Sequence, residues 1–210
     1  SKNAAHLEPF CYGMVEIVPG KQLDHLITVV PIDAFVGIRT SLAKSLGASA
    51  VVSATERLLE AGESDKRIWQ TLLGWLKYVD SAKNFQPLLV DGYILILLHC
   101  LGLAPRLDQC INCGKSFREV IWNGQPALYF AGGGLVCDTC RIKKEYVGEQ
   151  LASLGLREVS TLQLLLTGEW QKISAFPLEV AEAKRVHALV YQFLSYHTER
   201  KIGDWGKLQL

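Results

Sequence analysis

Four cysteines in two pairs, Cys110-Ile-Asn-Cys113 and Cys137-Asp-Thr-Cys140, separated by 23 residues, constrain this chain more than any other feature. Each Cys-x-x-Cys presents two thiolates to one ion, and two such knuckles complete the closed, tetrahedral all-sulfur shell of a structural zinc site. The spacing therefore predicts one structural Zn2+ held by Cys110, Cys113, Cys137 and Cys140. A disulfide framework suits smaller, secreted chains, whereas 210 residues at 49% apolar composition can bury a core without staples. The remaining cysteines, Cys11 and Cys100, sit in apolar runs as small core residues do.

The net charge of +1 conceals an uneven distribution. Residues 106 to 144 carry six basic side chains (Arg106, Lys115, Arg118, Arg141, Lys143, Lys144) against three acidic ones (Asp108, Glu119, Asp138). The cysteine module is thus a locally basic island in a near-neutral chain. Ser1-Lys2-Asn3-Ala4-Ala5-His6 lacks the apolar stretch of a signal peptide. The longest apolar run, Tyr93 to Leu98, falls short of a membrane span.

Residues 7 to 31 read as a β hairpin. Phe10, Tyr12, Met14, Glu16 and Val18 share a period-2 face, Pro19-Gly20 supplies the turn, and Leu26 to Val30 is a β-branched run. From residue 35 the period becomes helical: Phe35, Ile38, Leu42, Leu46 and Ala50 predict one helix with that stripe buried, ending at Gly62. A second helix follows with Ile68, Trp69, Leu72, Leu73, Leu76 and Val79 on one face. A third, over about 86 to 103, is apolar nearly all round and reads as a central helix. After the cysteines, Ser160 is the expected N-cap of a helix over Thr161 to Thr167. Pro177 is expected in the first turn of a long helix to Tyr196, its stripe running from Leu178 and Ala181 through Val186 to Leu194. The fold class expected is mainly α: a helical bundle with an inserted four-cysteine zinc ribbon over 106 to 144, preceded by a hairpin over 1 to 33.

Between the knuckles, Phe117 to Trp122 and Ala127 to Phe130 can pair as a ribbon across Asn123-Gly124. The module's apolar residues are few, so the metal is expected to supply much of its folding free energy, about 10 kcal/mol or more. Loss of one cysteine is expected to unfold the module and leave the bundle standing. The aromatic residues either pack the ribbon on the helices or, at Trp122, offer a face on which bases stack. The cations are either a solvated face or phosphate contacts. His99, in an apolar helix, reads as a hydrogen-bonded core residue, and His187 and His197 are too far apart to chelate together along one face. No hydrolase elbow, phosphate loop, dinucleotide fingerprint or His-Glu-x-x-His pattern is present, so no enzyme and no small-molecule substrate are expected. An all-cysteine shell also argues against catalytic zinc, which keeps an open position.

The order Leu7-Glu8-Pro9-Phe10, hairpin, three helices and Leu101-Gly-Leu-Ala-Pro-Arg-Leu-Asp-x-Cys110-x-x-Cys113-Gly114 resembles the bacterial RecO family. The likeness continues through Gly132-Gly-Gly-Leu-Val-Cys137-x-x-Cys140 and a last helix ending Tyr196-His-x-Glu-Arg-Lys201, covering essentially the whole chain. It implies an N-terminal OB-fold, a small β barrel whose first strands are absent here, so that residues 1 to 33 are its remainder and 34 to 210 the helical domain. It further implies a non-enzymatic, cytoplasmic, nucleoid-associated mediator of recombinational repair. Such a protein binds single- and double-stranded DNA, anneals strands, and acts with RecR and the acidic C-terminal tail of single-strand-binding protein to load RecA. Only the four cysteines carry over, as zinc ligands. The DNA-contact set of Arg106, Lys115, Arg118, Trp122, Arg141, Lys143 and Lys144 rests on charge density and composition. The competing expectation is a zinc-ribbon adaptor that docks proteins without touching DNA, which near-neutral net charge favours.

Overall fold

The computed structural model describes residues 8–60, 65–117, 125–143, 146, 149–198 and 202–209. Among these, strand β1 (Tyr12–Val18) pairs antiparallel with β2 (His25–Asp33), as expected, although the connection is six residues rather than a tight Pro-Gly turn. The hairpin is apolar on both faces: Met14, Val15, Ile17, Val30 and Ile32 are all about half exposed or more. Its base is anchored by Tyr12, whose ring lies 5.5 Å from that of Trp69, and by Phe10 and Phe35 packing on the helices.

The single helix expected after residue 35 is two. Helix α1 (Val36–Arg39) stops where Thr40 Oγ1 bonds back to Val36 O and Ser41 turns extended, and α2 (Leu42–Leu58) starts afresh. That break resets the phase, so the predicted stripe fails beyond it. Leu42 and Leu46 are exposed at 77% and 48%, while Gly47, Ala48, Val51 and Ala54 are buried. Small residues on that face let α2 lie close against its neighbours.

Helix α3 (Lys66–Ser81) begins at Asp65, which caps it by accepting from Arg67 N at 2.7 Å and Ile68 N at 3.4 Å. Asp80 near its end ties it to α1 by accepting from Ile38 N at 2.9 Å, and its carbonyl accepts from the buried Lys44 ammonium. The expected central helix is α4 (Leu88–Cys100), ten of whose thirteen residues are buried. It packs against α2 and α3 on one side and, on the other, against α6 (Leu156–Leu165), α7 (Trp170–Ala175) and α8 (Val180–His197). Trp75, on α3, donates to Leu89 O at 2.9 Å in this core. His99 is exposed, in correction of its expected core role, because it falls in the last turn of α4 where the helix emerges.

Helix α6 starts before the expected Ser160. Gly155 is its N-cap, with Glu158 Oε2 accepting from Gly155 N at 2.6 Å, and Ser160 lies mid-helix bonding back to Leu156 O. Helix α8 starts after Pro177, with Glu179 as its N-cap, and buries Val186, His187, Leu189, Val190, Phe193 and Leu194, while Ala181 is exposed. A 3-10 turn, Gly206–Gln209, closes the described chain. No helix among the described residues is long and apolar enough to cross a membrane.

Candidate metal centre

Between α4 and α6 lies a three-stranded antiparallel sheet with β3 (Ala127–Tyr129) at its centre, β4 (Gly134–Val136) on one side and β5 (Leu151–Ser153) on the other. Both edges of β3 are occupied, by β4 and β5, and the 117–122 arm of the expected ribbon lies, beyond Phe117, outside the described residues. Residues 118–124, with Arg118 and Trp122, lie outside the described residues. Three-residue strands carry little register information, and their partners are set by the packing around them.

The first knuckle is a turn closed by its own backbone. Cys110 N donates to Lys115 O and Gly114 N to Cys110 O, both at 2.9 Å. Gly114 follows Cys113 at φ +71°, a conformation that glycine adopts without the clash a Cβ brings. The second knuckle is carried by β4 and by α5 (Asp138–Lys143), whose first turn presents Cys140 back toward Cys137. All four sulfurs lie within 4.8 Å of one another, and Cys113 Sγ is 3.9 Å from Cys137 Sγ. A tetrahedral ion with metal–sulfur bonds of about 2.3 Å holds its sulfurs about 3.8 Å apart, so the set fits a metal of that size and softness.

The electrostatics favour a cation. Burial pushes the Cys110 thiol up, but the N–H groups of Cys137, Cys113 and Asn112 outweigh it and bring it down to about 7. Cys140 is pushed well above the ordinary thiol range by burial and by the neighbouring Cys137 and Cys113. Four thiolates cannot share this volume without a compensating charge. Cys137 N and Cys140 N also point at Cys110 Sγ and Cys137 Sγ, at 3.4 and 3.3 Å. Tyr146, packed edge-on against Tyr129 at 5.0 Å and hydrogen-bonded to Asn112, covers one side of the cluster.

The module is not an appendage. Leu107, Leu128, Phe130, Leu135 and Leu154 belong to the same buried core as the helices. The Phe130 ring lies tilted against those of Phe193 and Tyr196, at 6.2 and 6.1 Å, and its carbonyl is hydrogen-bonded to His197 Nε2 at 2.9 Å. For Phe130 the packing reading holds.

A family model described as Recombination protein O C terminal matches residues 39–205. The chain belongs to the RecO family. Its role therefore lies in DNA recombination and repair, and the matched segment includes all four cysteines.

Within this RecO fold the expected DNA-contact residues separate. Arg106, bridging to Gly134, is exposed, as are Lys115 in the first knuckle and Lys143 at the end of α5. Arg141 is half-buried, with Nη2 donating to Asp138 Oδ1 at 2.7 Å and Nη1 to Ser153 Oγ at 3.2 Å. Lys144 lies outside the described residues. Sequence reasoning missed the hydrogen-bonded cluster of buried Asp91, His187 and Trp205 with the exposed Asp204, whose members are up to 114 positions apart. Only the isolated Asp91 in an otherwise apolar helix signalled it.

Proposed function

We propose that this chain is a non-enzymatic mediator of recombinational repair that binds single- and double-stranded DNA, promotes strand annealing and helps RecA load together with RecR and single-strand-binding protein. In this reading Cys110, Cys113, Cys137 and Cys140 hold one structural Zn2+, and the apolar hairpin is the remainder of an OB-fold. The observation that carries it is the family match over 39–205, with the four sulfurs gathered inside it. Metal binding would fix the segments that bear Arg106, Lys115 and Lys143, and exposed cations on a rigid support can meet backbone phosphates without further ordering cost. Cations between two strands screen their mutual repulsion, which is what annealing requires. Trp122, Arg118 and Lys144 extend this set, whereas Arg141 has its guanidinium engaged within the protein. The protein would act in the bacterial cytoplasm, at the nucleoid.

A second reading, a protein-docking adaptor without DNA contact, is supported by a cleft of about 650 Å³ between the hairpin and α2–α3, lined by Phe10, Tyr12, Val52, Trp69, Leu72 and Leu73.

Fluorescence anisotropy of a labelled single-stranded oligonucleotide at about 50 and 200 mM salt tests the choice, with a Lys115→Glu/Lys143→Glu variant alongside. The mediator reading expects affinity to fall steeply with salt and the salt slope to drop by about 1 for each lysine that meets a phosphate. Absence of binding at the lower salt would favour the adaptor.

A further inference from the structure

One histidine sits at the centre of the contacts that hold the last described segment, 202–209, on the bundle. His187, on α8, is buried, with Nδ1 at 3.0 Å from Asp91 Oδ1 on α4 and Nε2 at 2.9 Å from Asp204 Oδ1 in the segment. Asp91 is fully buried, and its Oδ1 also accepts from Trp205 Nε1 at 2.8 Å. The Trp205 ring stands edge-on to His187 at 5.1 Å and to Tyr191 at 5.6 Å, and Tyr191 Oη donates to Ile202 O at 3.2 Å. Asp204, in contrast, is 59% exposed at its side chain.

A neutral imidazole has one N–H and one lone pair. Placed here, its lone pair would face a carboxylate oxygen at hydrogen-bond distance, a repulsive contact. An imidazolium donates to both carboxylates. Burial opposes the charged ring, but the hydrogen bonds and charges of Asp91 and then Asp204 more than offset it, so the His187 pKa lies above its ordinary value. Among the described residues, the groups facing this ring are Asp91 from α4, Tyr191 from α8, and Asp204 with Lys207 beyond it in the segment. On α2, which also packs on the segment, Lys44 is engaged at Asp80 O, Arg57 donates to Ser53 Oγ, and Glu56 lines the cleft beside the hairpin. Space is as tight as charge: a Cβ on Gly206 would come within 2.6 Å of His187 Nε2.

We propose that His187 is a protonation-controlled latch which docks the 202–209 segment against α4 and α8 when charged and releases it when neutral. Because the folded pKa is raised, the docked state is fully favoured below the ordinary histidine value and is lost as pH rises through the raised one. Release would uncover the apolar surface beneath Ile202 and Trp205, both buried when docked.

The test follows the Trp205 indole N–H by 15N NMR between about pH 5.5 and 9, a range that brackets an unperturbed imidazole at ~6.5. The resonance is assigned by its loss in Trp205→Phe, and the His187 ring-carbon signal is titrated in parallel. The expected result is a docked signal at low pH that shifts to a solvent-like position with the midpoint of His187. Asp204→Asn supplies an amide donor to a neutral Nε2, so this variant should keep Trp205 docked across the range. Gly206→Ala should show the undocked signal at every pH. Wild-type Trp205 that stays docked while His187 loses its proton, or Asp204→Asn that releases with the wild-type midpoint, would overturn the latch.

Discussion

Arg141 Nη1 donates to Ser153 Oγ at 3.2 Å, so the helix that carries Cys140 is tied directly to strand β5. The tie continues, since Ser153 O accepts from Arg185 Nη2 at 2.7 Å, and Arg185 pairs with Glu158 at the start of α6. The cysteine cluster, the sheet and two helices therefore share one polar node. Arg141→Ala is expected to lower stability by about 1–3 kcal/mol, for lost hydrogen bonds to a half-buried cation. For a chain of this size that is about 2–4 °C in Tm per kcal/mol. Lys143→Ala, on an exposed side chain, should leave Tm within about 1 °C while weakening any DNA contact. Thermal melts of the two variants side by side check this, and equal Tm values would remove the strut.

Metal removal is expected to destabilise the whole chain and not the module alone. The sequence reading has the bundle outlast the module, yet Leu107, Leu128, Phe130 and Leu135 lie in the common core. Calorimetry of Cys110→Ser should show one transition shifted downward. A small early transition followed by an unshifted main one would restore the picture of an attachment.

Phe130→Ala should cost about 3–5 kcal/mol, the usual range for emptying a buried aromatic site. The ring is 3% exposed and lies between α8 and the sheet. Urea unfolding gives the figure, and a loss below about 1 kcal/mol would mean that sheet and helix do not bear on each other through this residue.

Asp65 governs the start of α3. The Arg67 side chain, then the Arg67 backbone N–H, holds its carboxyl down at about 2. With a lowered folded pKa, its contribution is present above the ordinary value of 3.8 and is lost as pH falls through about 2. Hydrogen exchange at the Arg67 and Ile68 amides should therefore speed up, relative to the α3 interior, as pH falls below 3.8 toward 2. Asp65→Asn keeps a capping oxygen and should flatten that dependence. A variant as pH-sensitive as the wild type would assign the effect elsewhere.

Much of the site was readable before the fold. The cysteine spacing picks out the four residues whose sulfurs the structure gathers within 4.8 Å, because two thiols three residues apart can reach one ion whatever surrounds them. The central helix was equally legible, since a segment apolar on every face has no side that tolerates water. The charge island, by contrast, did not tell Arg141 from Lys143. Both sit on the same short helix, and only the position of Ser153 makes one a strut and leaves the other in solvent.

What the sequence by itself determined is local: where the knuckles are, which runs are strand or helix, and which helix must be innermost. These follow from spacing and periodicity within a few residues. The tertiary structure alone decided which face of α2 is buried, that β3 pairs with β4 and β5, and that His187 is buried while His99 is exposed. Each depends on groups distant in the chain, as His187 depends on Asp91 and Asp204. A carboxylate and an imidazole 96 positions apart leave no periodic trace in either neighbourhood, and only packing around a common core brings them within hydrogen-bond reach.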